Sequence, residues 1–531
     1  MSPAMRKLFS PAAWKRAAAR AARLCHGEWQ RRRLDRLYRG LGPVARGVGS
    51  PAVIADGLWD NPNHFFRLRL FLEALPEIGS LRPIGILRRR GDRTREALER
   101  LGFRDFIAIE EQGYEPYLAQ AETMLDGVSS HRELLELALP GGLPAYTYYD
   151  SVLTRARHPQ PPLDDPLWKT ILAACLRNCA LYGELLDTTP VAHVVLSHPW
   201  ESEFATLVWA ALARGIPVYH LTGYCEGIRI RRFSEPDDYA TPVERLSRSE
   251  FEALPEAVQD KLSEAGERYL AQREAGAGSD INARHAFSPV RRAASRAEAR
   301  RAFGVDDGRK LAVIYSHVWF DFPHTFAMGN FTDFLDWMRF TIDCVSDIRG
   351  MDWLLKPHPT EAWYGGFGLS DLVGDLPPHV RLAPRDTDSL SAITAADVVV
   401  TVHGTVGLEA GAHGVAVIAA DRGFYSDWGF VHLAGSRDHY RELLRAAGEL
   451  AAPDEAARRR ALALIALTLA PTPDSLTMRC DSSGPVLYSD IIGRYNGAAD
   501  ALARERGHMA DWLRGTSSSY AAHVKTGRLS P

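Results

Sequence analysis

Short apolar runs alternate with amphipathic segments along most of the chain, and this alternation predicts parallel β-sheets covered by helices. The apolar runs that predict strands in the first half are residues 51–55, 83–87, 106–109, 191–196 and 216–221. Those in the second half are residues 310–316, 352–355, 398–402 and 415–419. Helices are predicted at about 64–75, 331–348 and 388–396. The pattern therefore predicts an α/β protein with two Rossmann-like domains.

Two stretches show the strand-helix-strand pattern most clearly. In residues 191–221, five apolar residues recur at helical spacing between two apolar runs: Phe204, Leu207, Val208, Ala211 and Leu212. In residues 400–418 (VTVHGTVGLEAGAHGVAVI), a strand leads into a helix that opens near Gly404, and Gly414 follows as a C-cap. Ligands of open α/β sheets bind at the carboxyl ends of such strands. The polar residues at these two positions are Ser197, His198 and Glu201, and then His403, Gly404 and Thr405.

The length of 531 residues exceeds what one hydrophobic core normally supports. The predicted organisation is a basic amphipathic arm (1–45), an N-terminal Rossmann-like domain (46–241), a helical connection (242–309), a C-terminal Rossmann-like domain (310–488) and C-terminal helices (489–531). The connection is charged and alanine-rich, and SRAE at 295–298 predicts a capping box within it.

The N-terminal arm carries a strong positive charge. Residues 1–39 contain eleven Lys or Arg and two acidic residues, against a net charge of −3 for the chain. Trp14, Ala18, Ala21 and Cys25 share one helical face, which is typical of a helix lying on an anionic membrane surface. A solvated basic arm and an organelle transit peptide are the alternatives. The acidic remainder of the chain offers no continuing groove for nucleic acid.

Other compositional features predict a cytoplasmic protein. No apolar run approaches the roughly 20 residues of a membrane span, and no signal peptide is evident. Six cysteines without paired spacing indicate a reducing compartment. Cys175 and Cys179 share a helical face with apolar residues, which favours a place in the core. Together with the arm, these features predict association with the inner face of the cytoplasmic membrane.

The segment DWLLKPHPTE, residues 352–361, predicts a strand that ends at two prolines. Because proline fixes its own φ and restricts the residue before it, His358 has little backbone freedom at the end of that strand. A histidine so held can donate a hydrogen bond or a proton to a phosphate that becomes a leaving group. Lys356 adds positive charge beside it. A turn with a partly exposed histidine is the structural alternative.

Three stretches carry a family resemblance. KPHP (356–359), TVHGTVGLEAG (401–411) and DTDSLSAITAADVVV (386–400) resemble the bacterial capsule polysaccharide biosynthesis family, which includes Kdo transferases. The first stretch also resembles the His-Pro motif of bacterial sialyltransferases. Both groups use CMP-activated acidic sugars and have the GT-B fold, with two Rossmann-like domains facing across a cleft. The resemblance covers about residues 310–428, and the N-terminal half matches in general layout only.

The resemblance implies roles for the C-terminal residues. His358 would contact the phosphate of the donor, and Lys356 and Pro359 belong to the same motif. His403, Gly404 and Thr405 would hold the nucleotide, in agreement with the free amides and positive dipole end expected at a helix N-terminus. Glu409 would bind ribose, with a helix salt bridge as its alternative. Ser316 and His317 end a strand and would face the donor.

Transfer also needs a base or nucleophile from the N-terminal domain. Asp56, which ends the first strand, and Glu201 are the main candidates, and Asp60, His64 and Glu226 compete with them. Sialyltransferases of the His-Pro type carry an acidic-acidic-Gly motif, but Ala55 occupies the first acidic position here. The identity of the base and the stereochemistry therefore stay open.

Metal and dinucleotide sites are not predicted. DTD at 386–388 resembles the DxD metal motif, but it precedes a helix, where Asp388 is better placed as an N-cap. No HExxH, cysteine-pair, GxGxxG or GxxxxGK[ST] pattern occurs in a suitable context. We therefore expect no metal requirement and no cofactor.

The predicted function is transfer of a sugar from a CMP-sugar such as CMP-Kdo to a bacterial surface polysaccharide or a lipid-linked acceptor. A CDP-glycerol-type phosphotransferase and a UDP-sugar transferase or epimerase are the enzyme alternatives. A non-catalytic polysaccharide assembly protein is the alternative from another class.

Overall fold

The computed structural model describes residues 42–470, apart from 45, 46, 48, 61, 76, 223–228, 240–246, 277–280, 307 and 362–366. The C-terminal helices predicted at 489–531 lie outside the described residues, as does the basic arm apart from residues 42–44. The described part forms two six-stranded sheets covered by helices, which is the two-domain α/β arrangement of the GT-B fold.

The N-terminal sheet contains the five strands predicted from the apolar runs and one more. Its strands are β1 (Ala52–Gly57), β2 (Arg82–Leu87), β3 (Asp105–Ala108), β4 (Val191–Leu196), β5 (Val218–Thr222) and β6 (Arg229–Phe233). The order across the sheet is β3-β2-β1-β4-β5-β6, and only β6 is antiparallel to its neighbour. Strand β6 has the sequence RIRRF, whose arginines hide it from a hydrophobicity pattern.

The helices of this domain follow its strands. They are α1 (Pro62–Ala74), α2 (Arg93–Leu101), α3 (Leu118–Leu125), α4 (His131–Leu134), α5 (Ala145–Ala156), α6 (Pro166–Thr188) and α7 (Ser202–Leu212). Helix α7 buries the apolar stripe predicted from its sequence. Cys175 of α6 is buried in the core, as its helical face predicted.

The C-terminal sheet is parallel throughout. Its strands are β7 (Leu311–Tyr315), β8 (Asp352–Lys356), β9 (Val380–Leu382), β10 (Val398–Thr401), β11 (Ala416–Ala419) and β12 (His432–Leu433). The order is β12-β11-β10-β7-β8-β9. The outermost strands, β9 and β12, have three and two residues and are too short to produce a sequence pattern.

The second half contains ten further helices among the described residues. They are α8 (Arg248–Glu252), α9 (Glu256–Glu274), α10 (Ile281–Ala286), α11 (Arg296–Ala302), α12 (Phe334–Ser346), α13 (Leu369–Leu372), α14 (Ser389–Ala395), α15 (Thr405–Ala412), α16 (Arg437–Arg445) and α17 (Glu455–Thr468). Asp388 caps α14 by accepting from the Ser391 amide at 2.8 Å, as predicted. Gly414 follows α15 with a left-handed φ of 72°.

The segment predicted to connect the domains contributes to the C-terminal core. Val258, Leu262 and Tyr269 of α9 pack with residues of α15 and α17 in one apolar cluster. The two long helices approach closely at Gly266, where an added Cβ would lie 1.8 Å from the carbonyl oxygen of Leu462. Helix α9 is therefore fixed to the C-terminal domain along its length.

The two domains meet through α5 and the loop that follows β7. Tyr149 donates from its hydroxyl to Asp333 at 2.6 Å, and Thr154 donates to the carbonyl of Phe320 at 2.8 Å. Within the described part of the chain, no helix combines the length and apolar character needed to cross a membrane. The contacts of Tyr149 and Thr154 hold α5 against the segment that leaves the carboxyl end of β7.

Candidate active site

Three histidines lie at the edge where the parallel strands of the C-terminal sheet end. His317 follows β7, His358 follows β8 and His403 follows β10. Because β7 lies between β10 and β8, His317 occupies the middle position. The rings of His317 and His403 have centroids 5.3 Å apart, at an interplanar angle of 67°. The structure therefore brings together on adjacent strands the three histidines that the sequence predicted to face a donor.

Burial keeps these imidazoles neutral. It lowers the pKa of His317, and the neighbouring His403 and His358 lower it further. Burial and then Lys356 lower the pKa of His358 to about 4, and burial and then His324 lower that of His403 to about 3. An anion placed among the rings would favour their protonated forms. The cluster can thus accept a negative charge without carrying a positive one beforehand.

The tautomer of His358 follows from its neighbours. Its Nδ1 accepts from the amide of Thr360 at 3.3 Å and lies 3.0 Å from the hydroxyl of the same residue. An amide can only donate, so the proton of the neutral ring belongs on Nε2. His358 is therefore set to donate from Nε2, and the flanking Pro357 and Pro359 restrict its backbone.

Several buried polar atoms near this edge have no hydrogen-bond partner among the described residues. Among them are Oγ of Ser316, Nζ of Lys356 and Nδ1 of His403. The Lys356 ammonium lies 5.0 Å from the centroid of the Tyr315 ring, and burial lowers its pKa to about 8 although Asp388 and Glu409 act in the opposite direction. Buried polar groups are normally bonded, so this concentration indicates a place for a polar ligand or water.

Helix α15 begins at the same edge. Gly404 is its N-cap residue, and the helix opens with Thr405 and its free first-turn amides. The Gly404 amide donates to the hydroxyl of Thr401 at 3.2 Å. A Cβ at Gly404 would lie 2.9 Å from that hydroxyl oxygen and 3.2 Å from Cε1 of His317, so only glycine fits here without displacement. The predicted helix opening therefore lies directly against the histidine cluster.

Glu409 has an internal partner. Its carboxylate accepts from Nη2 of Arg273 at 2.9 Å, and both side chains are buried. This ion pair joins α15 to α9 and is a salt bridge of the kind that the sequence offered as the alternative to ribose binding. The ribose role of Glu409 stays a prediction.

Asp56 is buried and bonded to the protein itself. Its carboxylate accepts from the amide and hydroxyl of Ser197, at 2.5 and 2.9 Å, and from the amide of Leu58 at 3.3 Å. His64 Nε2 lies 3.4 Å from the same carboxylate. Asp56 therefore joins β1 to β4, and it does not expose an oxygen to the cleft as a base for an acceptor requires.

Glu201 is better placed for that chemistry. It precedes α7 at the end of β4, and its side chain is 26% exposed. Burial and then the neighbouring Glu203 raise its pKa, while Arg155 and then Arg88, whose Nη2 is 3.8 Å away, oppose that rise. A carboxylate with a raised pKa is suited to proton transfer near neutral pH.

The sequence reasoning missed the residues that line the cleft between the domains. In the loop after β7, Asp321 is reachable by solvent, and Nδ1 of His324 lies 2.7 Å from Oδ1 of Asp150 on α5. Trp59, just beyond β1, is 51% exposed. The available signal was the aromatic-rich loop VWFDFPHTF at 318–326, where an aspartate and a histidine follow a predicted strand.

No group of three or more His, Cys, Asp or Glu side chains in the described ranges has the arrangement of a metal site. A pocket lies at the opposite, amino-terminal edge of the C-terminal sheet, where Arg296, Lys310 and Asp397 are among the residues that line it. These charged groups are paired with one another, since Asp397 lies 3.0 Å from Arg296 and 3.4 Å from Lys310.

The chain has low similarity to proteins of known structure. No protein-family model matches the chain, and no curated protein matches it. Among solved structures, Thermosulfurimonas dismutans KpsC, β-Kdo 2,4 transferase, has 15% identity over 51% of this chain and 79% of that chain, with a TM-score of 0.30. The KpsC β-Kdo 2,7 transferase of the same organism has 14% identity over 50% and 79%, with a TM-score of 0.31.

A UDP-GlcNAc 2-epimerase from Neisseria meningitidis, solved with UDP-GlcNAc bound, has 11% identity over 84% of this chain and all of that chain, with a TM-score of 0.23. At these levels of identity and superposition, the similarities transfer no substrate or reaction to this chain. The two-domain GT-B arrangement rests on the sheets themselves.

Proposed function

We propose that this chain is a glycosyltransferase that moves a sugar from a nucleotide-activated donor, preferably a CMP-sugar such as CMP-Kdo, to a bacterial surface polysaccharide or lipid-linked acceptor. The observation that carries the proposal is the histidine cluster on β10, β7 and β8, with the α15 N-terminus and the buried Lys356 beside it. The preference for CMP rests on the resemblance carried by residues 356–359 and 401–411.

The site has the features needed to stabilise a departing phosphate. In the reaction, the bond between the anomeric carbon and a phosphate oxygen breaks, and the oxygen keeps the electron pair. His358 donates a hydrogen bond from Nε2 to this oxygen, while the α15 amides and the Lys356 ammonium offset its charge. One well-placed donor of this kind contributes on the order of 3 kcal/mol to lowering the barrier.

The acceptor enters from the N-terminal domain. Its hydroxyl oxygen forms the new bond to the anomeric carbon, and a carboxylate in the cleft takes the proton. Glu201 stays a candidate for this step, whereas Asp56 is saturated by Ser197 and Leu58. Neither step is assigned to a metal or a cofactor.

The proposal also includes a cellular location. We place it in the cytoplasm, on the inner face of the cytoplasmic membrane, through the basic arm of residues 1–39. Deletion of that arm is expected to abolish binding to liposomes containing anionic lipid while leaving donor chemistry intact. Unchanged liposome binding after the deletion removes the membrane assignment.

A donor screen tests the function directly. The purified chain is incubated with CMP-, UDP- and GDP-sugars, and the released nucleotide is identified by chromatography. Release of CMP is expected, and release of UDP or GDP alone overturns the CMP assignment in favour of the UDP-sugar alternative or another donor. Calorimetric titration with CMP, CDP and UDP separates these cases from a CDP-glycerol-type phosphotransferase. A non-catalytic assembly protein predicts neither nucleotide binding nor release.

A further inference from the structure

The strand order of the N-terminal sheet defines a second crevice, separate from the histidine cluster of the C-terminal sheet. The order β3-β2-β1-β4-β5-β6 reverses direction between β1 and β4. In open α/β sheets, the space outside the carboxyl ends of such a strand pair is where ligands bind. Trp59 follows β1 and His198 follows β4, so both residues lie at this point.

An aromatic wall lines the crevice. The ring of His198 lies edge-on to Trp59, with centroids 6.3 Å apart and an interplanar angle of 87°. On its other side His198 contacts Phe322 of the C-terminal domain, with centroids 5.1 Å apart. Burial lowers the pKa of His198 to about 4, so the ring is neutral at physiological pH. The wall therefore runs from one domain to the other.

Trp59 is the exposed aromatic residue of this wall. Four large hydrophobic side chains are exposed in the described part of the chain, and Trp59, at 51%, is the aromatic one among them. A half-exposed indole beside a partly buried imidazole presents a flat apolar surface to solvent at the place where topology predicts a ligand. A pyranose ring has such an apolar face, bordered by hydroxyl groups.

A carboxylate with open oxygens adjoins the wall. Asp321 immediately precedes Phe322 and is exposed to solvent, and neither of its carboxylate oxygens has a hydrogen-bond partner among the described residues. The residue as a whole is exposed, but protein atoms crowd its carboxylate, and the resulting loss of hydration and then Asp150 raise its pKa to about 6. Phe322 has a left-handed φ of 48°, a conformation that is costly for a side chain of this size. The backbone next to Asp321 is therefore locally strained.

We propose that this crevice is the acceptor subsite: the indole of Trp59 packs against the face of an uncharged sugar ring, and Asp321 takes the proton of its attacking hydroxyl. The acceptor oxygen bonds to the anomeric carbon as the bond from that carbon to the phosphate oxygen breaks, and the proton moves to the Asp321 carboxylate. This inference rests on the proposed function. It goes further by naming the acceptor class and the base.

The charges of the crevice favour an uncharged acceptor. Asp321 and Glu201 are both carboxylates, while Arg88 and Arg155 are engaged by Glu203, at 2.7 and 2.8 Å. An acidic sugar would bring a third negative charge next to these carboxylates, while the two described arginines nearby, Arg88 and Arg155, are already paired. A neutral pyranose avoids this repulsion.

The test uses p-nitrophenyl glycosides of glucose, galactose and N-acetylglucosamine as acceptors and the glucuronide as the acidic counterpart. Binding is measured by calorimetry and transfer by chromatography, with Trp59→Ala, Trp59→Phe and Asp321→Asn. Leu163→Ala and Asp347→Asn are matched controls at exposed positions elsewhere. We expect Trp59→Ala to raise the Kd and KM for neutral glycosides about tenfold or more, Trp59→Phe to retain most of the affinity, and both controls to behave as wild type.

Asp321→Asn is expected to lower kcat about a hundredfold, with KM changed less than about threefold, and to remove the acidic limb of the pH profile. An unchanged pH profile overturns the role of Asp321. A lower Kd for the glucuronide than for the neutral glycosides overturns the assignment of an uncharged acceptor. A Kd for neutral glycosides that Trp59→Ala changes less than about twofold overturns the subsite.

These experiments distinguish a failure of the acceptor subsite from a failure of the proposed glycosyltransferase function. If wild type releases no nucleotide from any donor while Trp59→Ala still raises the Kd for neutral glycosides about tenfold, the proposed function fails and the sugar site stands. If wild type transfers normally and Trp59→Ala does so equally well, only the subsite fails. Circular dichroism and thermal unfolding of each variant report whether it folds.

Discussion

His324 and Asp150 form an ion pair across the two domains, with Nδ1 of the imidazole 2.7 Å from Oδ1 of the carboxylate. The carboxylate also accepts from the His324 amide at 3.1 Å, so Asp150 of α5 makes two contacts with the loop after β7. The ring of Tyr146 stacks on His324, with centroids 5.8 Å apart. This pair therefore fixes the loop that carries the cleft residues to the opposite domain.

The pair makes stability depend on pH. Burial alone would lower the pKa of His324, but Asp150 outweighs it, and the net pKa is raised. Because the pKa of His324 is higher in the folded than in the unfolded protein, its protonation stabilises the fold. This stabilisation is complete below the unfolded pKa of about 6.5 and is lost as pH rises through the folded pKa. Thermal unfolding between about pH 5.5 and 9 should show Asp150→Asn destabilised by about 3 kcal/mol at the acidic end and by less at the alkaline end. A difference between wild type and variant that stays constant with pH contradicts the role of the pair.

Replacing His358, which is predicted to donate a hydrogen bond to the leaving phosphate, should slow the reaction and leave the fold intact. His358→Ala is expected to lower the rate of nucleotide release about a hundredfold to a thousandfold, because a hydrogen bond made mainly to the leaving oxygen is lost. His379→Ala is the matched control, since His379 lies at the opposite edge of the same sheet and contacts the Val345 carbonyl at 3.1 Å. Steady-state rates and melting temperatures are measured for both variants. Equal rates for the two leave His358 without a part in the chemistry.

Two glycines provide opposite tests of helix packing. Gly266→Ala should destabilise the protein by about 3 kcal/mol or more, because its Cβ would lie 1.8 Å from a backbone oxygen of α17 that cannot move independently. Gly183→Ala in α6 should stabilise by about 0.5–1 kcal/mol, since the nearest atom to its Cβ is the end of an arginine 3.8 Å away. Denaturant unfolding of each variant measures both values. Equal effects would show that α9 and α17 do not cross at this glycine.

The Arg273–Glu409 pair should contribute more than a surface pair on the same helix. Arg273→Met removes the guanidinium partner of a buried carboxylate and is expected to cost about 3–5 kcal/mol. Arg268→Met, in contrast, breaks an exposed contact of 3.6 Å with Glu264 and should change stability by less than about 0.5 kcal/mol. Urea denaturation compares the two. If Arg273→Met is equally mild, the pair does not anchor α9 to α15.

Much of the fold was predictable because the buried strands are apolar and the helices between them are amphipathic. The strands from β1 to β5 and the strand of 398–401 follow directly from that pattern, as does the N-cap at Asp388. Strand β6 was missed because its arginines are covered by specific contacts, such as Arg231 over the Phe233 ring at 4.5 Å. The packing of α9 on α17 was missed because two helices separated by nearly two hundred residues leave no local signal.

The candidate site was predictable on one side only. His317, His358 and His403 follow apolar strands, so their common edge could be inferred before their distances were known. The cleft residues could not be placed in this way, because Asp150 lies within a helix and Asp321 within a loop, and only the approach of the domains gives them neighbours. Asp56 shows the reverse case: its position at a strand end suggested chemistry, whereas its bonds to Ser197 are architectural.

The turn Pro323–Phe326 is preceded by Phe322 and followed by Ala327, both non-glycine residues with left-handed φ angles of 48° and 56°. Such backbone is costly, and the bonds from Asp150 and Thr154 hold it in place from the other domain. A C-terminal half produced alone would retain His317, His358 and His403 but would lose the contacts from α5 that hold this turn. The two halves are therefore not freely exchangeable between related proteins: a chimaera is expected to keep this turn only when α5 comes from the same parent as the turn.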